Sequence, residues 1–341
     1  MNYNGVKFLK DCFESLIRQS FRDFEIIFVD NASTDGSVEF MKENFTLPFI
    51  KIVTSKRNLG FAGGNNLGLS ECSGEFIVLL NNDTTVDKFW LEKLIDCIEP
   101  YRNTGIAQSL VYTEGIPLKY YEMNGTINLL GHNIMRVFEI GKDGIGEIFQ
   151  ATGCSLIIRK ELVKSLGEFF PEEYFAYSED TFLCFSVKFR GLKIMHTSES
   201  IVYHKGGGAS KDRKASHLFF YQERNRLLNF LLFFSGSFIL KYIPYLIFNF
   251  FMKLILSVFK KKYSAVQLIK AYLWFFTNFK WIRNKRSEVK LNKRVNSSYV
   301  MRYISGKIFN GDNFFERLIN FISISYCKIT DITVLENKKT A

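Results

Sequence analysis

The sequence lacks the features that mark disulfide-linked or exported proteins. Its six cysteines occur singly, with no CxxC pair and no regular spacing, which argues against a disulfide framework. The first residues, MNYNGVKFLKDCFESL, contain no apolar segment of signal-peptide length. We therefore expect reduced, mostly buried cysteines and a main domain that faces the cytoplasm.

Size and charge bound the possible functions. A chain of 341 residues, 47% of them hydrophobic and 16% aromatic, is long enough for a full α/β catalytic domain plus a second module. The net charge of +11 suggests an anionic partner, which could be a nucleoside diphosphate, an anionic lipid or nucleic acid. No recognisable nucleic-acid-binding module accompanies the charge, so we expect no nucleic-acid partner.

Hydrophobic periodicity predicts alternating helices and strands in the first hundred residues. Helices are predicted over 6–21, 37–44, 63–70 and 86–99, and strands at FEIIFVD (24–30), PFIKIVTS (48–55) and EFIVLL (75–80). This alternation predicts a parallel sheet covered by helices on both faces. In such sheets ligands bind outside the carboxyl ends of the strands.

Polar residues follow two of the predicted strands. Asp30 and Asp83 each lie near the carboxyl end of a strand, so both are expected to face one crevice. One carboxylate could accept a hydrogen bond from a pyrimidine base, and the other could hold a divalent ion against a diphosphate. Gly63 and Gly64 lack side chains where a backbone could approach a ligand. Alternatively, both aspartates simply form turns.

A second group of polar residues lies in EEYFAYSEDTFLCFSVKFRGLKI. Here Glu179 and Asp180 begin a predicted helix with apolar residues at helical spacing. A purely structural reason for this pair is that the helix dipole stabilises carboxylates in a first helical turn. The functional explanation is a general base, which a transfer reaction to a hydroxyl group requires.

In combination, these segments are more specific than any single residue. NYNG, FEIIFVDNASTDGS, NLGFAGGNN and FIVLLNNDT, in this order, resemble the nucleotide-sugar-binding half of family 2 glycosyltransferases, particularly the rhamnosyltransferase-like bacterial members. The resemblance covers about two thirds of the chain. It implies a GT-A fold, which is α/β and Rossmann-like, with a mostly parallel mixed sheet and helices on both faces. It also implies a nucleoside-diphosphate sugar donor, dTDP- or UDP-linked, and a Mg²⁺ or Mn²⁺ ion.

The resemblance assigns roles to individual residues. Asp180 would be the catalytic base of an inverting transfer, and Asp30 would contact the pyrimidine. Asn81-Asn82-Asp83 stands where the family has its Asp-x-Asp metal motif, which leaves Asp83 as the direct carboxylate ligand. The remaining candidates are Tyr3, Asn58, Gly60, Asn65, Asn82 and Lys205 for the donor, Thr152, Gly153 and Glu179 for the acceptor side, and His204 for the metal. Lys205 and the glycines after it could form a lid over phosphates.

The composition changes beyond Tyr221, where very apolar segments interrupted by Lys241 and Pro244 precede the basic stretch KWIRNKRSEVKLNKR. We expect helices that lie on an anionic membrane surface, and the alternative is a buried helix pair with a solvated basic connector. The expected organisation is a GT-A domain over 1–220, with a donor half over 1–107 and an acceptor half over 108–220. A helical membrane-associating region over 221–335 and a disordered tail over 336–341 would follow.

One element expected from the resemblance is not found. In the family a buried strand precedes NYNG and lies centrally in the sheet, whereas this sequence begins at Met1-Asn2-Tyr3-Asn4. Loss of that strand would leave backbone groups unpaired or force its neighbours together. We expect either an upstream start or an inactive relative.

The sequence therefore predicts a cytoplasmic enzyme, peripheral on the inner face of the cell membrane. It would transfer a sugar from a nucleotide donor to a glycan or lipid-linked acceptor, and the resemblance to the rhamnosyltransferase-like subgroup implies dTDP-rhamnose as the leading candidate donor. The alternatives are a non-catalytic nucleotide-sugar binder and a basic membrane scaffold.

Overall fold

The structure is a computed structural model that describes residues 1–114, 124–135, 144–206, 216–260, 263–311 and 313–337. Helices and strands alternate in its N-terminal part, as the periodicity predicts. The strands are β1 (Ile26–Asp30), β2 (Ile50–Thr54), β3 (Phe76–Leu80), β4 (Thr84–Val86), β5 (Thr104–Thr113), β6 (Asn124–Ile127), β7 (Asn133–Met135), β8 (Ile145–Ile148), β9 (Ser155–Arg159) and β10 (Lys193–His204).

Six helices accompany these strands. They are α1 (Val6–Ile17), α2 (Ser37–Asn44), α3 (Gly60–Glu71), α4 (Trp90–Ile98), α5 (Lys160–Leu166) and α6 (Glu179–Phe189). The helix predicted over 86–99 begins later than expected, at Trp90, because Thr84–Val86 pairs with β10 as a short strand. The segment predicted as a helical turn or two at 63–70 is a helix of 12 residues.

The main sheet has six strands and is mixed. Its order is β3-β9-β5-β10-β4, and β8 also pairs with β10. The β5–β10 pair is parallel, but β3–β9, β5–β9, β4–β10 and β8–β10 are antiparallel. The expectation of mostly parallel pairing is therefore wrong for this sheet, because β9 runs in the opposite direction between β3 and β5. Periodicity reports burial and does not encode strand direction.

A separate two-stranded parallel sheet contains β1 and β2, in register from Ile26↔Ile50 to Asp30↔Thr54. Within the described residues β1 and β3 do not pair with each other. Asn2 forms an isolated parallel bridge with Asp30. Its N–H donates to the carbonyl of Val29 (2.7 Å), and its carbonyl accepts from the N–H of Asn31 (2.8 Å). The first residues therefore pair with the end of β1, and β1 and β3 stay in separate sheets in the described part of the chain.

Strand β9 is buried, and its side chains alternate between two hydrophobic cores. Ile157 packs in one core, which contains residues of α1 and α4. Leu156 and Ile158 pack in the other, which contains residues of α5 and α6. Because side chains on a strand alternate in direction, helices cover this sheet on both faces.

The C-terminal part is helical. Its helices are α7 (Ser216–Phe233), α8 (Gly236–Phe259), α9 (Ala265–Thr277), α10 (Phe279–Leu291), α11 (Ser297–Met301) and α12 (Phe314–Ile329). Helix α8 runs through Pro244 without a break. Phe185 of α6 stacks on Phe233 of α7 at 5.2 Å between ring centroids, and both belong to one core. The region predicted as a separate module beyond residue 220 therefore shares a core with the domain before it. Residues 338–341 of the predicted tail lie outside the described residues.

Candidate active site

A cleft of about 380 Å³ lies beyond the carboxyl end of β3. Ten residues that the sequence predicts for the site line it: Tyr3, Asn58, Gly60, Asn82, Asp83, Thr152, Gly153, Glu179, Asp180 and His204. Three others, Asp30, Asn65 and Lys205, are not among the lining residues. The cleft also has an aromatic wall that the sequence analysis missed, formed by Phe8, Phe61, Phe175 and Tyr177.

Pairing of β4 with β10 brings Asp83 and His204 together. His204 is opposite Thr84 in the register of this pair, and Asp83 is the residue before Thr84. The Nε2 atom of His204 is 3.1 Å from Oδ1 of Asp83. The N–H of Lys205 donates to the carbonyl of Asp83 (2.9 Å), which fixes the chain after β10 against this turn.

The donor atoms of this pair fit a divalent ion that is shared with a ligand. Among the described residues there is no group of three or more His, Cys, Asp or Glu side chains that could hold a metal ion. Mg²⁺ is, however, usually held by one or two carboxylates together with substrate phosphates and water. The carboxylate of Asp83 is of this type and suits both Mg²⁺ and Mn²⁺, and the imidazole of His204 is a nitrogen ligand more typical of transition metals. Both side chains line the cleft.

Asparagine side chains connect the two sheets below the cleft. The side-chain amide of Asn82 donates to Oδ1 of Asn2 (2.5 Å), and the amide of Asn2 donates to Oδ1 of Asp30 (3.1 Å). The other carboxylate oxygen of Asp30 accepts from the N–H of Ser33 (2.9 Å). Asp30 is buried, so both its oxygens have partners inside the protein. Direct contact between Asp30 and a base remains a prediction.

Asn31 shapes the NLG loop and was missed by the sequence analysis. Its amide donates to Oδ1 of Asn58 (3.1 Å) and to the carbonyl of Gly60 (2.9 Å), and its Oδ1 accepts from the N–H of Leu59 (2.9 Å). Gly60 has a φ of +73°, and a Cβ there would lie 2.2 Å from the carbonyl oxygen of Phe175. Only glycine fits this position. Asn31 lies in the DNAS motif that the sequence analysis singled out, but its hydrogen-bond partners are nearly thirty residues away in the sequence.

The turn before β9 connects the two ends of the cleft. The carbonyl of Cys154 accepts from the N–H of Asn81 (3.0 Å), which aligns this turn with the Asn81-Asn82-Asp83 segment. The N–H of Gly153 points the other way, towards Oδ2 of Asp180 (3.3 Å). Thr152 is held by Gln108, whose side-chain oxygen accepts from its N–H (2.6 Å). One short turn therefore contacts both predicted catalytic regions.

Glu179 and Asp180 form an unequal pair at the start of α6. Burial raises the pKa of the Glu179 carboxyl well above its usual value, and the neighbouring Asp180 raises it further. Burial also raises the pKa of Asp180, but backbone N–H groups of Gly153 and Thr181 oppose that rise. One oxygen of Glu179 is buried without a hydrogen-bond partner. When the pair holds one proton, that proton therefore resides on Glu179 and leaves Asp180 as the carboxylate.

The loop before this pair is strained. Phe175, Tyr177 and Ser178 have φ values of +59°, +72° and +63°, a region that costs a non-glycine residue free energy. Two asparagines of α7 hold the loop, and the sequence analysis missed both. The amide of Asn225 donates to the carbonyls of Tyr174, Ala176 and Tyr177 (2.9, 2.9 and 2.8 Å), and the amide of Asn229 donates to the carbonyl of Ser178 (3.0 Å).

Asn65 and Lys205 lie outside the lining of the cleft. The amide of Asn65 donates to the carbonyl of Phe61 (2.8 Å) one helical turn earlier. The Lys205 ammonium contacts the Asp11 carboxylate (2.8 Å) at the surface. Contact of either side chain with the donor stays a prediction. Residues 207–210 of the predicted lid lie outside the described residues.

A larger cavity, of about 670 Å³, lies behind α6 and is lined by residues of α5, α6 and α10. Its charged residues Glu168 and Lys285 pair with each other. None of the residues predicted for the site lines this cavity. The smaller cleft is therefore the candidate active site.

Replacing Asn225 tests the role of α7 in holding the strained loop. Asn225→Ala removes the amide that donates to three carbonyls, one of them in a buried hydrogen bond and two in part-buried ones. We therefore expect it to lower the free energy of unfolding by about 1–3 kcal/mol. Urea unfolding followed by circular dichroism measures this. Gln222→Ala, at an exposed position of the same helix, is the matched control and should change stability by less than about 0.5 kcal/mol. Equal effects of the two substitutions would contradict this role.

Because the pKa of Glu179 is raised, replacing Glu179 by a neutral residue should stabilise the folded protein by an amount that depends on pH. The folded state binds this proton more tightly than the unfolded state, so the contribution of Glu179 to stability falls as pH rises from about 4.3, the unfolded value, through the folded pKa. Glu179→Gln should therefore be more stable than the wild type near neutral pH, by roughly 1–3 kcal/mol, and the difference should vanish near pH 4.

Thermal unfolding of both proteins across this pH range measures the difference. Glu161→Gln, an exposed position on α5, serves as the control and should show no such trend. A constant difference between wild type and Glu179→Gln at all pH values would disprove the assignment of the proton to Glu179.

Comparison with known proteins identifies the family. Residues 1–167 match the family described as glycosyl transferase family 2. The O-antigen biosynthesis protein RfbC of Myxococcus xanthus is 24% identical over 214 residues, which are 60% of this chain and 17% of RfbC. This chain spans only 17–33% of the length of four such curated relatives.

Two solved structures share the fold. Residues 1–349 of S. aureus TarS, in complex with UDP, align with 100% of this chain and 91% of that one, at a TM-score of 0.51 and 16% identity. GalNAc-T7 with UDP, GalNAc and Mn²⁺ aligns with 82% of this chain and 54% of that one, at a TM-score of 0.60 and 17% identity. The expected GT-A class is confirmed. Residues 1–167 thus match glycosyl transferase family 2, and the fold of the chain is that of the GT-A glycosyltransferases.

Proposed function

We propose that this protein is an inverting glycosyltransferase that moves a sugar from a nucleoside diphosphate to a hydroxyl group of a cell-surface glycan or its lipid-linked precursor. The observation that carries the proposal is the cleft itself. Its lining contains two separate groups, Asp83 with His204 and Glu179 with Asp180, and the turn at Gly153 and Cys154 contacts the segments of both. Such a separation suits a reaction with a departing diphosphate and an attacking hydroxyl group.

At the donor end, the protein's own groups would bind and orient the nucleotide. Asn58 and Gly60 are fixed by Asn31, so this loop presents a preformed backbone surface to the donor. Asn82 is fixed by Asn2 and faces the same cleft. A preorganised loop loses little conformational freedom when a ligand binds, which favours affinity.

Asp83 and His204 would hold a Mg²⁺ or Mn²⁺ ion, and a bound ion of this kind stabilises negative charge on a departing diphosphate. The hydrogen bond between the two side chains orients them in the described structure. Their position near the carboxyl end of β3 agrees with the general location of ligands in open α/β sheets.

At the acceptor end, Asp180 would act as the general base. The acceptor oxygen attacks the anomeric carbon, its proton passes to the carboxylate of Asp180, and the bond to the diphosphate oxygen breaks with its electron pair. A raised pKa makes Asp180 a stronger base than an ordinary aspartate. The unpartnered oxygen of Glu179 offers a hydrogen-bond position for the acceptor and suits its predicted place on the acceptor side.

The class of substrate draws support from relatives. RfbC is named for O-antigen biosynthesis, and TarS is a poly(ribitol-phosphate) N-acetylglucosaminyltransferase that was solved with UDP and with UDP-GlcNAc. These two relatives favour a cell-surface glycan as the acceptor and a uridine nucleotide in the donor. The sequence resemblance instead favours dTDP-rhamnose. Because both donors carry a pyrimidine, the proposal covers a UDP- or dTDP-linked sugar.

Calorimetric titration of the full chain with UDP, dTDP and GDP, each with and without Mn²⁺, tests the proposal. We expect Mn²⁺-dependent binding of UDP or dTDP. Asp83→Ala should weaken it by about tenfold or more, because a charge-assisted contact contributes roughly 1.5–3 kcal/mol. Asp180→Asn should bind the nucleotide as the wild type does. Release of nucleoside diphosphate from UDP-GlcNAc or dTDP-rhamnose should fall in both variants.

Asp96→Ala, exposed on α4, is the control for loss of a carboxylate and should leave binding and turnover unchanged. Binding that is intact in Asp83→Ala would remove Asp83 from the donor site. Nucleotide binding combined with turnover that is insensitive to Asp180→Asn would instead favour a non-catalytic binder or a different base.

A further inference from the structure

Helix α8 exposes a continuous apolar stripe along its whole length. Leu240, Ile243, Ile247, Phe251, Ile255 and Val258 recur at intervals of three or four residues, and each is exposed by 41–78%. Residues at this spacing share one face of a helix. At 1.5 Å per residue, the stripe extends over roughly 27 Å. A soluble helix normally turns such a face inward.

The buried side of α8 is unusually polar. Asn249 and Lys253 are buried there, and both contact the buried carboxylate of Glu223 on α7, with distances of 3.2 Å from the side-chain amide of Asn249 and from Nζ of Lys253. Arg226 also pairs with Glu223. The helix thus turns a buried lysine and asparagine, together with aromatic residues, towards the protein and leaves its apolar stripe exposed.

Two neighbouring helices extend the apolar surface. Helix α9 packs on α8 through Tyr272, whose hydroxyl donates to the carbonyl of Leu246 (2.9 Å), and α12 packs on it through Tyr326, whose hydroxyl donates to the carbonyl of Lys241 (2.9 Å). Both helices expose apolar side chains of their own: Val266, Ile269, Leu273 and Phe276 on α9, and Phe314, Leu318, Phe321, Ile322 and Ile329 on α12. We call the combined exposed surface of α8, α9 and α12 the apolar face.

On α8 and α9 the charged side chains are all basic. No Asp or Glu occurs between Glu223 and Glu288, a stretch that contains all of α8 and α9. Exposed basic residues lie in or beside these helices, at Lys260, Lys270, Lys280 and Arg283. Basic residues beside apolar helices favour anionic lipid headgroups, whereas the interface between two copies of so basic a surface would bring like charges together.

We propose that the apolar face docks on an anionic lipid bilayer, with α8 lying in the interface plane. By length and composition, α8 is the one helix in the described part of the chain that could cross a membrane. Its inward side is, however, bound to the folded domain: the hydroxyl of Tyr242 donates to the carbonyl of Leu129 (2.7 Å), and Lys253 contacts Glu223. These contacts favour a helix that lies on the membrane.

This inference does not depend on sugar transfer, because lipid binding is measured without donor or acceptor. It is compatible with the proposed function, since a docked enzyme would meet a lipid-linked acceptor on the same surface. If the protein binds nucleotide but not lipid, only the inference about the membrane fails.

Cosedimentation of the full chain with vesicles tests the proposed docking of the apolar face on a bilayer. The vesicles are phosphatidylcholine alone or a mixture of phosphatidylcholine and phosphatidylglycerol. We expect stronger binding to the anionic mixture and a partial loss of binding at high salt. Leu240→Glu/Val258→Glu places two carboxylates in the apolar stripe and should weaken binding by about tenfold or more. The control is Phe89→Glu/Tyr101→Glu, which changes two exposed aromatic residues in the N-terminal part of the chain. It should bind vesicles as the wild type does.

Both pairs of positions are exposed, so the variants should melt as the wild type does, and circular dichroism checks this. Equal vesicle binding by wild type and Leu240→Glu/Val258→Glu would overturn the proposal. It would also be overturned if lipid-free wild type were a dimer by sedimentation velocity, this variant were a monomer, and neither bound vesicles. The apolar face would then bind a second copy.

Discussion

The candidate active site depends on the hydrogen bond between the N–H of Asn81 and the carbonyl of Cys154. It continues the β3–β9 ladder beyond Leu80↔Ser155 and holds two turns side by side. One turn leads to Asp83, which meets His204 through the pairing of β4 with β10. The other contains Gly153, whose N–H contacts Asp180. A shift of one residue in this ladder would reverse the direction of the side chains and would separate the two ends of the cleft.

Burial gives the carboxylates at the two ends different properties. Asp83 is buried beside an imidazole, whereas Glu179 and Asp180 share a dry environment that raises the pKa of both. Backbone N–H groups of Gly153 and Thr181 stabilise the charge of Asp180, whereas one oxygen of Glu179 has no partner among the described residues. The strained loop before them is held by Asn225 of α7, and α7 also carries Glu223, which pairs with Lys253 of α8. The same helix thus supports the cleft and anchors the apolar face.

Local patterns predicted the elements that depend on local sequence. Helix α1 and strands β1 and β3 lie where periodicity placed them, and the motifs brought ten of thirteen candidate residues to one cleft. Long-range pairing was not predictable in this way. Strand β4 is not predicted, and its last residue, Val86, is assigned to the following helix, because its partner, β10, is more than a hundred residues away. Asn2, Asn31 and Asn225 were missed because their partners are distant in sequence, and an isolated asparagine resembles a turn former. The burial of Lys253 in α8 is also not predictable from local sequence, because its partner Glu223 lies on another helix.

The most direct test of the central claim is a crystal structure of the protein with Mn²⁺ and the pyrimidine nucleoside diphosphate that it binds, with anomalous scattering used to locate the metal. The account predicts an anomalous peak at coordination distance, about 2.0–2.6 Å, from a carboxylate oxygen of Asp83. The diphosphate should lie in the cleft between Asn58 and His204, with Asp180 facing the sugar position. A metal bound elsewhere, or a nucleotide in the larger cavity behind α6, would contradict it.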